Sequence, residues 1–227
     1  AREAFRRGRA AYRAGRWQEA LVLYRLGYVL DPEVPGFLRE LGATYDKLGQ
    51  SDRKQAFYQA YLRALPFGRG ARDIRRALQK DRGALGRLSI ASSLPCDELW
   101  LNRQLVPGGK VTGLIVPPGS YRALCVSYKY EIAYFEYAEV VAEQTAELQF
   151  RWAVVVNQLE DPFGRITIEN PRVPGVMMDL GISSPEVGVI VPEDGRALRM
   201  ILRDDRRTRR EERSITLQSG QRHVIKW

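Results

Sequence analysis

Histidine is almost absent from this sequence: His223 is the only one, and cysteine occurs only as Cys96 and Cys125. A lone histidine and two separated thiols are too few for a zinc centre, which needs four N, S or O ligands. Two cysteines are also too few for a disulfide-built scaffold. Neither thiol has a histidine near it in sequence, so nothing marks an activated nucleophile. No glycine loop of the phosphate-cradling kinds occurs. These absences lead us to expect no metal, no cofactor and no catalysis. No run approaches the roughly 20 apolar residues of a membrane span, so no span is expected in this segment. No signal peptide and no initiator Met are visible. The chain therefore reads as a piece of a longer protein.

What is present is charge, unevenly placed. The net charge is +9. Residues 1–83 hold 18 Lys+Arg against 9 Asp+Glu, whereas residues 84–227 hold 18 of each. An N-terminal excess of positive charge steers acidic partners toward that part. The mixed run Arg203–Arg213 has four acids among its arginines and no interleaved aromatics. It predicts a solvated hairpin rather than a nucleic-acid surface.

The segment 1–83 is internally repetitive. Gly8, Gly15, Tyr24 and Pro32 return at a constant step as Gly42, Gly49, Tyr58 and Pro66. The step matches the period of about 34 residues found in one class of helical-hairpin arrays. Apolar residues between these marks fall at helical spacing, and Asp31-Pro32 and Pro66 stop the second helix of each unit. Ile74, Ala77 and Leu78 predict a further helix over Arg72–Arg82 that caps the last unit. With Ala20 and Leu41 in place as well, this segment resembles a tetratricopeptide repeat (TPR) array, two repeats with a capping helix. Lys54 and Tyr61 depart from the family's small residues. The resemblance implies a concave face, built by the first helix of each unit, that binds peptides. Here that face carries Arg2, Phe5, Arg9, Tyr12 and Arg13, then Arg39, Ala43, Asp46 and Lys47, with the arginines, Phe5, Tyr12 and Lys47 as the expected binding residues. Guanidinium forks suit carboxylates, so the expected ligand is an acidic peptide or protein. The solvated side of two amphipathic helices is the alternative reading. The Asn-plus-Lys set of the family's carboxylate-clamp members is missing.

Residues 84–227 alternate as strands do, and they repeat too. Gly164–Ile168 matches Gly86–Ile90, Gly188–Pro192 matches Gly113–Pro117, and Ile225–Trp227 matches Phe150–Trp152, the last two pairs at one common offset. Two small antiparallel β-sandwich modules are expected, 84–152 and 153–227, with 153–163 as a linker turning at Glu160-Asp161-Pro162. The fold class is multidomain, α then β. Both modules resemble the PEGA domain through the opening Gly-x-Leu/Ile-x-Ile strand, Ser92–Pro95, the strand into Asn102 (Asp179–Gly181 in the second copy), and Pro117-Pro118-Gly119-Ser120-Tyr121. That resemblance implies a binding or spacing module, often beside TPR arrays in prokaryotic envelope or signalling proteins.

Cys96 and Cys125 form either a disulfide, in an oxidising envelope compartment, or two buried thiols. Tyr128, Tyr130, Tyr134, Phe135 and Tyr137 cluster in sequence. Tyr130, Tyr134 and Tyr137 are assigned to an interface or sugar-stacking patch and Phe135 to the core. His223 is expected at a half-buried or surface strand position. Together these readings predict a non-catalytic scaffold in a bacterial, periplasmic envelope assembly. The alternatives are a cytoplasmic signalling adaptor and a carbohydrate- or peptidoglycan-binding envelope protein.

Overall fold

A computed structural model describes residues 1–80, 85–159, 164–180, 186–203 and 210–226. The expected turn at Glu160-Asp161-Pro162 and positions 204–209 of the Arg-rich run lie outside them. The described chain has helices first and sheets after.

The helices are α1 (Arg2–Arg13), α2 (Trp17–Leu30), α3 (Gly36–Lys47), α4 (Ser51–Ala64) and α5 (Ala71–Lys80). The α1–α2 and α3–α4 turns, one repeat apart, are closed in the same way. Gly15 and Gly49 both take φ +71°, and the following amide reaches back five positions: Arg16 N–H to Ala11 O at 3.0 Å, Gln50 N–H to Tyr45 O at 3.0 Å. This left-handed glycine stop satisfies carbonyls that a helix end would otherwise leave open.

Packing repeats as well. A Cβ on Gly8 would lie 2.7 Å from the Tyr24 ring, and one on Gly42 would lie 2.4 Å from the Tyr58 ring. Each glycine is thus the notch into which the next helix's tyrosine fits. Gly27 is the same kind of notch for Phe37, at 2.3 Å, and joins the first hairpin to the second. The departures are absorbed locally. Lys54 is buried and its ammonium donates to Asp46 Oδ1 at 3.0 Å, while the buried Tyr61 donates to Arg69 O at 2.7 Å.

Strands follow. Among the described residues they are β1 (Gly86–Ser92), β2 (Glu98–Leu101), β3 (Gln104–Leu105), β4 (Val111–Val116), β5 (Gly119–Ser127), β6 (Ile132–Val140), β7 (Thr145–Phe150), β8 (Trp152–Asn157), β9 (Arg165–Glu169), β10 (Met177–Asp179), β11 (Glu186–Ile190), β12 (Leu198–Arg203), β13 (Arg210–Ile215) and β14 (Arg222–Ile225). They make four sheets, ordered β4-β1-β7, β3-β2-β5-β6, β11-β8-β14 and β10-β9-β12-β13. The second pair of sheets copies the first. In each three-stranded sheet the central strand is antiparallel to one neighbour and parallel to the other. Buried residues of the first two sheets form one cluster, and those of the last two sheets form another.

This topology corrects two sequence readings. Residues 153–157 are not a linker. They belong to β8, whose Val154 lies between Gly188 and Arg222 just as Leu88 of β1 lies between Leu114 and Ala146. Gly164–Ile168 is therefore not the counterpart of Gly86–Ile90. Its strand β9 holds the place of β2, and β8 holds that of β1. The two matches at the common offset do coincide with equivalent strands, β4 with β11 and β7 with β14. The reason for the error is composition: Ala153–Val156 is apolar and buried on both faces, so it lacks the alternation that marks a half-buried strand.

Two joints hold the parts together. Arg75 on α5 donates from Nε to Ile115 O at 2.6 Å and from Nη2 to Pro66 O, pinning the helices to β4. Asn102 Nδ2 donates to Arg63 O at 2.8 Å, and Phe67 N–H donates to Gln104 Oε1 at 2.9 Å. At the second joint Trp152, 1% exposed, packs into the first β cluster although it opens β8. Its indole N–H donates to Ser92 Oγ at 2.9 Å, and Gly188 N–H donates to Tyr130 O at 2.8 Å.

Candidate functional site

The face assigned to partner binding is only partly free. Arg2, Arg9, Arg13 and Lys47 are exposed, and among the described residues no ion pair engages them. Four exposed cations that no ion pair engages among the described residues stay available to an external anion, with an attraction that water and salt screen. Phe5 does not belong with them. It is half-buried, with its ring 5.9 Å from Tyr24 and 5.3 Å edge-on from Phe37, so it packs the helices. Arg39 is held inside the fold: its Nε donates to Glu40 Oε1 at 3.1 Å and its Nη1 to Arg69 O at 3.3 Å. Tyr12 is half-buried. Burial, then the nearby Asp46 and Glu40 carboxylates, push its phenol above the ordinary value, so it stays a neutral donor.

Beneath this face lies an unusual atom. Tyr24 is fully buried, and its hydroxyl has no hydrogen-bond partner among the described residues. Burial chiefly, and Glu40 next, push its ionisation up, so it is a neutral O–H close enough to feel Glu40, Arg9 and Arg39.

A second apolar feature occurs on α2. Val22, Leu26, Val29 and Leu30, at helical spacing, are all at least half exposed. Leu30, the last residue of the helix, lies outside the helix core.

The three-tyrosine patch is not a single surface. Tyr134 is 7% exposed, with its ring 6.0 Å from Phe150 and the Arg172 guanidinium 4.2 Å from its centroid. Arg172 also pairs with Glu136 at 2.8 Å. Tyr130 is half-buried against Lys129, whose Nζ lies 5.1 Å from its ring centre. Only Tyr137 is well exposed. Because β6 alternates, Tyr134 faces inward while Phe135 and Tyr137 face outward, the reverse of the sequence assignment for Tyr134 and Phe135.

The outward residues continue across the sheet. Leu105, Trp100, Leu124 and Phe135 pair across β3, β2, β5 and β6 in one row. Sequence inspection missed this row because its members are scattered from Trp100 to Phe135 and only sheet register unites them. Cys96 and Cys125 are bonded as a disulfide, Cα atoms 5.4 Å apart, beside Leu99 in the first β cluster. His223 is half-buried, its Nε2 accepting from Gln218 N–H at 3.1 Å.

No protein-family model matches the chain, and no curated protein matches it. Among solved structures it is similar to the Bacillus anthracis TIE protein, at 13% identity and a TM-score of 0.25, over 63% of this chain and 34% of that one. The chain thus spans about a third of that protein's length.

Proposed function

We propose that this chain is a non-catalytic interaction scaffold. Its helical part is a short TPR array with a basic docking face for an acidic peptide or protein. The two β units are PEGA-like sandwiches that space this face or make a second contact. The observation that carries the reading is the set Arg2, Arg9, Arg13 and Lys47, exposed and without carboxylate partners among the described residues. The TPR assignment is supported by the glycine notch for tyrosine and the glycine stop, each occurring twice, one repeat apart. The PEGA assignment is supported by the repeated strand order and by the equivalent strands at the common offset. The disulfide favours a periplasmic or envelope location over the cytosol, where thiols are kept reduced.

Purified chain, wild type and Arg9→Glu/Arg13→Glu, is used to capture partners from the native organism at two ionic strengths. Capture by the wild type falls with salt, because exposed charge pairs are screened, and the double reversal abolishes it. Equal capture by both proteins would refute the basic face.

A further inference from the structure

On the outer face of the β3-β2-β5-β6 sheet lies a shallow cavity of about 310 Å³, lined by Trp100, Arg103, Arg122, Leu124 and Phe135. Its floor is the cross-strand row: Trp100 pairs with Leu124, and Leu124 with Phe135. Phe135 is 39% exposed, and Leu105 at the end of the row is 50% exposed. Its rim is cationic. The Arg122 guanidinium stacks on the Phe135 ring, 4.7 Å from the centroid. Arg103 stands at the β2–β3 turn with φ +67°. That turn is tied to Arg122, since Asn102 N–H donates to Arg122 O at 2.9 Å and Arg122 N–H to Asn102 Oδ1 at 2.9 Å.

Among the described residues, no carboxylate lines the cavity and neither arginine has an ion-pair partner. The nearby Glu98 is already engaged by the Trp100 indole N–H at 2.8 Å and the Tyr128 hydroxyl. Two unpaired guanidiniums over an apolar floor call for a ligand with a carboxylate and a large apolar group a few ångströms apart. Arg122 is held over the Phe135 ring by a cation–π contact, and a guanidinium fork there can take a carboxylate bidentately. The space is at the small end of the ~300–1,000 Å³ typical of ligand pockets. One large apolar residue fits within it. An internal acidic residue would need a second residue to supply the apolar group. A chain terminus unites both on one residue.

We propose that this cavity binds the C-terminal residue of a protein partner, one with an aromatic or branched apolar side chain, its α-carboxylate held between Arg103 and Arg122. Terminal carboxylates are a known class of recognition element. The site is separate from the basic face of α1, so either can fail without the other.

The test uses the whole chain and N-acetylated alanine-glycine hexapeptides ending in phenylalanine. Three probes are titrated: the free acid, its C-terminal amide, and a free acid ending in alanine. Binding is read from the Trp100 indole N–H resonance and from affinity. The free acid shifts Trp100. Amidation or terminal alanine weakens binding about tenfold or more, the scale of a lost charge-assisted contact. Arg103→Gln and Arg122→Gln, both at exposed positions, weaken the free acid similarly and leave the melting temperature unchanged. Equal binding of acid and amide would overturn the proposal, as would indifference to both substitutions. So would the absence of any Trp100 shift at millimolar peptide. A Trp100 shift produced by peptidoglycan fragments and not by the peptides would overturn it in favour of a glycan site.

Discussion

Single atoms decide how close the helices come. Ordinarily Gly→Ala inside a helix gains about 1 kcal/mol from propensity. Here the Cβ added at Gly42 would meet the Tyr58 ring at 2.4 Å, and overpacking of that kind costs about 1–3 kcal/mol. We therefore expect Gly42→Ala to destabilise, measured by urea unfolding, and the penalty to vanish or reverse in a Tyr58→Leu background. A stabilised single variant would show that the notch is not a packing site. The Gly8–Tyr24 and Gly42–Tyr58 positions were legible in the sequence, because a regular period in Gly and Tyr is visible without coordinates; the Gly27–Phe37 notch was not, since neither residue recurs one repeat on. The inward turn of Tyr134 was not. Alternation along β6 offers two registers, and the one that buries Tyr134 is selected by Phe150 and Arg172, which lie outside β6.

At the level of elements, the helices were readable almost to their ends because glycine and proline mark where they stop. The β repeat was readable at β4, β11, β7 and β14. It was misread at β8, whose unbroken apolar run carries no alternation and whose role appears only through pairing with β11 and β14. Replacing Ala153–Asn157 by a Gly-Ser segment distinguishes the two readings. A linker would tolerate it. A central strand would not, and we expect exchange protection to be lost across β11 and β14, where hydrogen–deuterium exchange would detect it. The helix-to-sheet joint gives another expectation. Arg75 is desolvated, which lowers its ionisation from the usual value, and it serves two carbonyls. Arg75→Met should cost about 1.5–3 kcal/mol, the range for bonds from a charged donor. It should also split one thermal transition into two, observed by calorimetry.

For the whole molecule, redox state and pH are the external controls. The Cys96–Cys125 bridge closes a loop across 29 residues, worth about 3–4 kcal/mol in the chain-entropy account. Cys96→Ser/Cys125→Ala should lower stability by that order, checked by denaturant titration. In acid, three carboxyls act together. Glu98 is held below its usual 4.5 by the Tyr128 and Trp100 donors, Glu169 by the Gly175 and Arg199 amides, and Glu186 by Arg222. A depressed carboxyl stabilises fully above its unfolded value and loses that contribution as pH falls through its lower folded value. Stability of the β part should thus decline as pH falls below the ordinary carboxylate range, and Glu169→Gln should flatten the dependence of the urea midpoint on pH in that window.

An acidic partner docked on the first helix would leave a hydrogen-exchange footprint there. The probe is a glutamate-rich peptide amidated at its C-terminus, which removes the terminal carboxylate that the sheet cavity would recognise. The peptide is expected to slow exchange in α1 and in α3 around Lys47, with an effect that fades with salt and disappears in Arg9→Glu/Arg13→Glu. Protection confined to the sheets, or unchanged by the double reversal, would contradict docking on the first helix.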